Sequence, residues 1–501
     1  MNGKIGFDNE KYLELQSEEI LRRVNGGDSK LYIEFGGKLI HDGHASRILP
    51  GYDPSIKMRL LQKIKDKMEV LICIYAGDIE RKKIRADFGI TYEADALKTM
   101  DELREWGINV TGVVITRFEG QPAAEQFKKK LERRFVTVYR HRFIEGYPSN
   151  VDKIVSEEGF GRNDYIPTTK PIVIVTGPGP NSGKLSTCLS QMYHDHKRGI
   201  NARYAKFETF PVWNMPLKHP VNIAYEAATA DLGDVNMIDS FHLEKYGETA
   251  INYNRDIELF PVVKRILDKI AGKSVYNSPT DMGVNKIGFC ITDDEVVREA
   301  AKQEIIRRYF NYAKEYVLGQ AEKDAVARIE NIMGELGIKP IDRKVVEPAR
   351  EAARKAEGIE GKGHKGVYCG AAMMLKNDEI LIGKNSPLMH SSSSLVLNAL
   401  KVLAGIPDSI HLLSPSVMQS IRTLKENLLN ADVENLDLNE TLIALGISAA
   451  SNPTAHAALG KLKELRGCEV HLTHIPTPGD EAGLKKLGIN YTSDPQFSTK
   501  S

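Results

Sequence analysis

The sequence predicts an α/β protein built on a doubly wound, mostly parallel sheet. Over residues 31–207, short apolar segments rich in β-branched residues alternate with amphipathic segments of helical period. One of the apolar segments, 172–175, leads into a glycine-rich turn with the character of a phosphate-binding loop. A helical stretch and a second α/β region follow, because 501 residues are too many for one hydrophobic core.

The expected elements of the first region follow one another in strand–helix units. The run at 70–75 is almost entirely apolar, which is typical of a strand covered on both faces. Repeated units of this kind favour parallel strands. The predicted strands are 31–35, 70–75, 110–116, 135–139, 172–175 and 202–207, and the predicted helices are 56–67, 94–106 and 123–134.

The turn after the fifth expected strand is the main candidate for ligand binding. Glycines let the backbone approach a ligand, and the N–H groups and positive helix end then point at an anion. A lysine at the end of such a turn reaches the outer phosphates of a nucleotide. We therefore predict a site for ATP or GTP with Mg²⁺ formed by Gly177, Gly179, Asn181, Ser182, Gly183, Lys184, Ser186 and Thr187.

This turn departs from the usual phosphate-binding motif in two ways. Five residues rather than four separate Gly177 from Gly183, and Leu185 stands where the motif has a hydroxyl group for Mg²⁺. Ser186 or Thr187 supplies that hydroxyl if the helix begins late. The alternative interpretation is a tight strand–helix turn whose lysine is simply solvated.

Basic residues recur at the expected carboxyl ends of the strands. Arg117 follows the third strand, and Arg140 and Arg142 follow the fourth. Ligands of open parallel sheets bind beyond this edge, and guanidinium groups suit phosphates and carboxylates. We therefore expect the three arginines to receive a small anionic or phosphorylated metabolite, although the polarity of loops alone also explains each of them.

Asp239 ends a short, mostly apolar segment and is the candidate for a second acidic group at the metal. A carboxylate in this position would hold Mg²⁺ through water. Helix capping explains the same residue equally well. Ser186 and Asp239 form the predicted metal site, and Asp239, Lys184 and the three arginines form the predicted catalytic set.

The middle of the chain is predicted to be helical. From 295 to 333 apolar residues recur at three- and four-residue steps, which indicates a helical domain or the contact surface of a homo-oligomer. The glycine-rich stretch 358–366 resembles a hinge. We therefore expect an N-terminal α/β domain (1–285), a helical domain (286–357) and a C-terminal α/β subdomain (358–501).

The last region returns to strand–helix alternation. Two serine-rich turns, 390–394 and 448–454, each open a helix and would suit an anion, but ordinary N-capping explains them as well. The expected strands are 371–375, 380–382, 410–413 and 470–474, and the expected helices are 395–403 and 457–465.

Composition is that of an ordinary soluble protein. A hydrophobic fraction of 42%, a charged fraction of 27% and a net charge of +1 indicate no general attraction to nucleic acid or an acidic membrane. No apolar run approaches membrane-spanning length, and the first residues lack the apolar stretch of a signal peptide. Five scattered cysteines are typical of reduced thiols. We therefore expect a cytoplasmic, bacterial protein.

Three segments together carry a family resemblance. They are the run from Gly177 to Lys184, the opening Ile5-Gly6-Phe7-Asp8 with Tyr12, and the segment from Lys206 to Trp213. The chain resembles the bacterial uncharacterised protein family 0371 over essentially its full length. This resemblance implies an N-terminal α/β domain, a helical middle and a C-terminal α/β subdomain. Some family members are labelled ATP-dependent proteases.

The residues do not support the protease label. The chain has no His-Glu-x-x-His motif for a catalytic zinc, and the Pro-Cys-x-x-Cys half of a deaminase zinc signature is also absent. A serine or cysteine triad stays open, because its members need not be close in sequence.

Two functions remain in competition. The first is an enzyme that binds ATP or GTP and transfers or activates a phosphoryl group on a small anionic metabolite, with Lys184 offsetting charge on the outer phosphates. The second is a regulatory protein that binds a nucleotide or phosphometabolite without turnover. Leu185 in place of a hydroxyl residue and the weak second acidic motif favour the second function.

Overall fold

The computed structural model describes residues 4–24, 29–40, 42–85, 89–428 and 435–498. Within these ranges the chain forms two compact units. The first unit contains residues 5–226 and 234–301, and the second contains Lys4, 227–233 and the described residues from 302 onward. The segment 286–357, expected as a helical domain, is divided between the two units.

The first unit is built around a six-stranded sheet whose pairings are all parallel, so the predicted parallel α/β fold is confirmed. The strands of the unit are β1 (Ser29–Phe35), β2 (Met68–Tyr75), β3 (Ile84–Arg85), β4 (Ile90–Thr91), β5 (Val110–Thr116), β6 (Val138–Arg140), β7 (Ile172–Thr176), β8 (Asn201–Phe207), β9 (Asn236–Ile238) and β10 (Ile251–Tyr253). The sheet order is β6-β5-β2-β7-β1-β8, and β3–β4 and β9–β10 form two small antiparallel pairs.

Helices connect these strands. They are α1 (Asn9–Val24), α2 (Gly43–Ile48), α3 (Ile56–Ile64), α4 (Ala76–Glu80), α5 (Tyr92–Glu105), α6 (Pro122–Glu132), α7 (Val151–Ile154), α8 (Lys184–Lys197), α9 (Pro220–Ala228), α10 (Ser240–Tyr246), α11 (Asn254–Ala271) and α12 (Pro279–Met282). Helix α13 (Asp294–Val317) follows them, and its residues from 302 onward belong to the second unit. The stretch 295–333, predicted to be helical, contains two helices, because Gly319 adopts a positive φ of 70° after α13. Strand β6 begins later than expected, because Phe135 has a left-handed φ of 59° and is 96% exposed.

The order of the strands places a crevice beside β7. From β2 the chain continues to β5 on one side, whereas from β7 it continues through α8 to β8 on the other side. Adjacent strands whose connections leave in opposite directions open a crevice at their carboxyl ends, where ligands of such sheets bind. The turn 177–183 lies at this edge.

The hydrophobic core around β7 fixes the start of α8. Val173 and Val175 of β7 pack in one buried cluster with Cys188 and Leu189 of α8. Cys188 and Leu189 lie four and three residues before Met192, which belongs to the same cluster, so all three share one face of α8. The cluster also contains residues of α11, among them Phe260, so α8 and α11 cover the same face of the sheet.

The second unit contains a four-stranded mixed sheet of order β12-β11-β13-β14. Its strands are β11 (Gly370–Met374), β12 (Ile380–Lys384), β13 (Glu469–Leu472) and β14 (Asn490–Ser493). Its helices are α14 (Lys323–Leu336), α15 (Val346–Arg354), α16 (Ser391–Ala404), α17 (Pro415–Thr423), α18 (Leu438–Ala449), α19 (Pro453–Leu459) and α20 (Pro478–Lys486).

The prediction of a strand at 410–413 is wrong. These residues form a bend and coil, and Leu412 and Leu413 are buried in the core of the second unit. Burial rather than strand pairing therefore explains this apolar run. Among the described helices, none is both long and apolar enough to cross a membrane.

Candidate functional site

The turn between β7 and α8 requires glycine at its two ends. A Cβ atom on Gly177 would overlap the carbonyl oxygen of Cys73 on β2. Gly183 precedes α8 with a φ of 91°, and a Cβ atom there would lie 2.7 Å from Cγ2 of Thr116. The turn therefore lies close against β2 and β5, and only glycine fits at these two positions.

Two residues at the end of β5 hold the turn in place. The Thr116 hydroxyl donates to the Ser182 carbonyl oxygen at 2.8 Å. The Arg117 Nη2 group donates to the Asn181 carbonyl oxygen at 2.6 Å, and its guanidinium lies 3.4 Å from the centroid of the Tyr75 ring. Arg117, predicted to bind substrate, is therefore placed as a support of the turn.

Inside the turn, polar side chains contact the backbone while amide groups remain open. The buried Ser182 hydroxyl donates to the Gly179 carbonyl oxygen at 2.7 Å, and Lys184 Nζ donates to the same oxygen at 3.3 Å. Within the described chain, the backbone N–H groups of residues 182–186 find no acceptor. They stand at the positive end of the 14-residue helix α8, a position at which proteins commonly bind anions.

The two predicted hydroxyl ligands differ in their surroundings. Thr187 is buried, and its Oγ1 lies 3.3 Å from Cys73 Sγ and 3.4 Å from His141 Nδ1. Burial lowers the pKa of His141 to about 4, so this contact is between neutral groups. Ser186 is half-buried and lies beside Tyr147. Ser186 is therefore the more exposed of the two hydroxyl residues.

Glu34 is an acidic residue at this edge that the sequence analysis missed. It lies on β1, in register with Val175 of the neighbouring β7. Burial raises the pKa of the thiols of Cys73 and Cys188; the charge of Lys184 opposes this rise and that of Glu34 adds to it. Glu34 and Lys184 are therefore both within electrostatic reach of these two thiols, one on β2 and one on α8.

Asp239 uses both of its carboxylate oxygens in contacts with residues outside the turn. Its Oδ1 accepts the N–H of His242 at the start of α10, and its Oδ2 accepts the hydroxyl of Thr280 at 2.6 Å and the Thr280 N–H at 3.1 Å. The carboxylate is fully buried by these contacts. Helix capping, the alternative interpretation, therefore accounts for Asp239. In the described residues no three His, Cys, Asp or Glu side chains form a group suited to a metal ion.

The remaining predicted arginines lie at the end of β6. Arg140 donates to the Asp164 carboxylate at 3.2 Å. The guanidinium of Arg142 lies 5.8 Å from the centroid of the Phe118 ring, and its backbone N–H donates to Asn163 Oδ1 at 2.7 Å. Arg140 has a structural partner of opposite charge, whereas Arg142 rests on an aromatic face.

Comparison with known proteins decides the family. The model of the domain of unknown function DUF1846, N-terminal, matches residues 5–337, and that of its C-terminal counterpart matches residues 341–501. The chain belongs to the UPF0371 family. UPF0371 proteins of Clostridium botulinum strain Langeland, Clostridium tetani and Clostridioides difficile are 57%, 56% and 56% identical to it, each over 99% of both chains.

In this UPF0371 chain a second group of charged side chains lies one strand beyond Glu34. Lys206 of β8 is in register with Glu34. Its Nζ lies 2.6 Å from Asp256 Oδ2 and 3.0 Å from Glu208 Oε1. The Tyr204 hydroxyl donates to Glu34 Oε2 at 2.7 Å and so connects the two groups. These residues carry a signal in the sequence, because Glu34 and Lys206 each interrupt an apolar strand near its carboxyl end.

The serine-rich turns of the UPF0371 chain use their polar groups internally. The Ser392 hydroxyl donates to Asp480 Oδ1 at 2.5 Å, and the Ser393 hydroxyl donates to the Leu436 carbonyl oxygen at 3.2 Å. In the second turn, Asn452 Oδ1 accepts the N–H groups of Thr454 and Ala455. Side-chain capping and packing therefore account for both turns.

Proposed function

We propose that this protein binds ATP or GTP with Mg²⁺ at the turn 177–184 and transfers a phosphoryl group to a small metabolite. The observation that supports this proposal is the set of open N–H groups of residues 182–186, with Lys184 beside them, at the crevice between β2 and β7. Backbone N–H groups and a lysine are what the outer phosphates of a nucleotide require.

The proposed roles follow from position. Lys184 moves from the Gly179 carbonyl oxygen to the outer phosphates and offsets their growing charge. Ser186 and Glu34 hold Mg²⁺, either directly or through water, and Glu34 replaces Asp239 in this role. Mg²⁺ needs only one or two protein groups when phosphate oxygens complete its shell, so the site does not require a preformed group of ligands. Arg117 keeps the turn closed around the phosphates.

The second candidate is a regulatory protein that binds the same ligands without turnover. It is favoured by Leu185, which places an apolar side chain where the motif usually has a hydroxyl group. It is also favoured by the pairing of Arg140 with Asp164, which engages one of the groups expected to receive an anionic acceptor.

Titration calorimetry of the full chain tests the proposal. ATP, GTP and common sugar phosphates are titrated with and without Mg²⁺, and release of nucleoside diphosphate is followed in parallel. We expect one nucleotide to bind and to be turned over. Binding without turnover supports the regulatory protein, and absence of binding by every one of these ligands contradicts both candidates.

Glu34→Gln is expected to weaken the dependence of nucleotide binding on Mg²⁺. The variant keeps the size of the side chain but removes the charge, so the affinity for Mg²⁺ in the complex falls about 10- to 100-fold. Affinity for the nucleotide without Mg²⁺ stays unchanged or rises, because a negative charge near the phosphates is lost. Both quantities are measured by calorimetry, and Glu18→Gln, at an exposed position, is the control. Equal Mg²⁺ dependence in all three proteins excludes Glu34 from the metal site.

A further inference from the structure

A compact polar group occupies the carboxyl end of β8, beside the proposed nucleotide site. It consists of Lys206, Glu208 and Asp256, with Glu34 in the next strand. Because Glu34 is also in register with β7, only strand β1 lies between the two sites, and two strand spacings of about 4.8 Å place β8 about 10 Å from β7. A ligand held by this group would therefore lie next to the phosphates of a nucleotide bound at the turn.

The group is partly exposed rather than closed within the core. Burial raises the pKa of Glu208, to about 7, although the neighbouring Lys206 opposes the rise and Asp256 adds to it. Yet the side chains of Lys206, Glu208 and Asp256 remain 19%, 26% and 17% exposed. Each of the three side chains therefore keeps part of its surface accessible to solvent. Glu208 also lies against Gly36, where a Cβ atom would come within 2.8 Å of its Cγ.

Tyr253 provides an independent indication of a missing ligand. Its side chain is 2% exposed, and its hydroxyl has no hydrogen-bond partner among the residues described. Tyr253 directly precedes α11, three residues before Asp256, and its ring stacks on Tyr225 with centroids 5.4 Å apart. Burial, Tyr225, and the carboxylates of Glu208 and Asp256 all raise the pKa of its hydroxyl. A buried hydroxyl left without a partner costs free energy, which a bound polar molecule would recover.

The charges in the crevice select the kind of group that binds there. Three carboxylates surround one ammonium, so an anionic group is repelled while a hydroxyl or ammonium group is accepted. The titratable groups that face Glu208 come from five elements and are Glu34 of β1, Lys206 of β8, Tyr225 of α9, Tyr253 of β10 and Asp256 of α11.

We propose that Lys206, Glu208, Tyr253 and Asp256 form the acceptor site for a metabolite that presents a hydroxyl or primary amine group, and that Glu208 is its general base. This inference rests on the proposed function. The acceptor oxygen or nitrogen attacks the terminal phosphorus, its bond to phosphorus forms, and the bond from phosphorus to the bridging oxygen breaks. The nucleoside diphosphate leaves with that electron pair, and the acceptor proton passes to the Glu208 carboxylate.

Glu208 suits the role of base better than its neighbour. Asp256 is held by Lys206 at 2.6 Å, the shorter of the two ion pairs, which fixes it as a charged partner of the lysine. Glu208 is the more exposed carboxylate of the pair, and burial raises its pKa. Lys206 acts as a positioning residue that holds both carboxylates.

Glu208→Gln tests the inference. The substrates are Mg·ATP and Mg·GTP, the acceptors are glycerol, ribose, ethanolamine and water, and the measured quantity is the release of nucleoside diphosphate between pH 5 and 9. Below about pH 7 the parent rate is expected to fall, because Glu208 becomes protonated. The variant is expected to be at least about 100-fold slower at pH 8 and to lose this acid limb, with nucleotide affinity unchanged. Glu208→Asp should restore part of the rate.

Two further variants separate chemistry from folding. Tyr253→Phe removes only the unpartnered hydroxyl, so it should raise the KM for the acceptor while thermal stability stays the same or increases. Glu248→Gln, at an exposed position of the same unit, should match the parent. A Glu208→Gln profile that follows the parent overturns the inference alone. Bound nucleotide with no turnover by any acceptor overturns the inference together with the transfer step of the proposed function, and leaves nucleotide binding standing. Absence of nucleotide binding overturns the proposed function first.

Discussion

Replacing Lys184 with alanine is expected to raise the dissociation constant for Mg·ATP or Mg·GTP about 10- to 150-fold. Hydrogen bonds to charged groups contribute about 1.5–3 kcal/mol, and the lysine would make such bonds to the outer phosphates. In the structure Lys184 makes one contact of 3.3 Å with the Gly179 carbonyl oxygen, which a phosphate would replace. The measurement is calorimetric titration of the full chain.

The control for this prediction is Lys197→Ala, at the other end of the same helix. Lys197 pairs with Glu157 on the surface, with its side chain 51% exposed, so its loss should alter neither fold nor nucleotide affinity. If Lys184→Ala binds as tightly as the parent, the turn does not hold the phosphates. A loss of affinity in both variants would point to general electrostatics instead of the turn.

Replacing Lys57 with methionine is expected to destabilise the first unit by about 3–5 kcal/mol. The Lys57 side chain is fully buried, and its Nζ lies 2.7 Å from Asp42 Oδ2 and 3.1 Å from the Lys38 carbonyl oxygen. The variant leaves the carboxylate of Asp42 buried without its partner, which is far costlier than losing the pair. The double variant Lys57→Met/Asp42→Asn should therefore recover much of the stability.

Tryptophan fluorescence during urea unfolding measures this effect selectively. The chain has two tryptophans, Trp106 and Trp213, and both lie in the first unit. The control is Lys63→Met on the same helix, at an exposed position. A single variant that unfolds at the same urea concentration as the parent would show that the buried pair contributes nothing.

The Lys57–Asp42 pair also makes the stability of the fold depend on pH. Although burial opposes it, attraction by Lys57 lowers the pKa of Asp42 to about 2, below the value of about 3.9 expected in the unfolded chain. The pair's stabilisation is therefore present above about pH 4 and is lost as the pH falls through about 2. In Lys57→Met the unpaired Asp42 takes up a proton more readily, so the difference from the parent should narrow as the pH falls from 7 to 4.

The strands and the turn could be predicted because their signals are local. Apolar runs of β-branched residues identified β1, β2, β5, β7 and β8 to within a few residues. The turn was visible because glycine is required where backbone segments approach closely, as at Gly183. Such features depend only on residues that are close in sequence, so sequence analysis can detect them.

The partners of the turn could not be predicted because they depend on sheet order. Strand β1 lies between β7 and β8, although more than 130 residues separate Glu34 from Thr176 in sequence. Only this insertion brings Glu34, Lys206 and Glu208 to one edge. The role of Asp239 could not be predicted for a related reason. An aspartate before a helix suits capping and metal binding equally, and its partner Thr280 is distant in sequence.

Hydrogen–deuterium exchange with Mg·ATP and Mg·GTP tests the central claim most directly. The N–H groups of residues 182–186 have no acceptor in the described chain, so a phosphate bound to them should slow their exchange. We expect protection in peptides covering 177–190, strongest at the start of α8, and its loss in Lys184→Ala. Nucleotide that binds and protects some other segment, leaving 177–190 unchanged, would contradict the account.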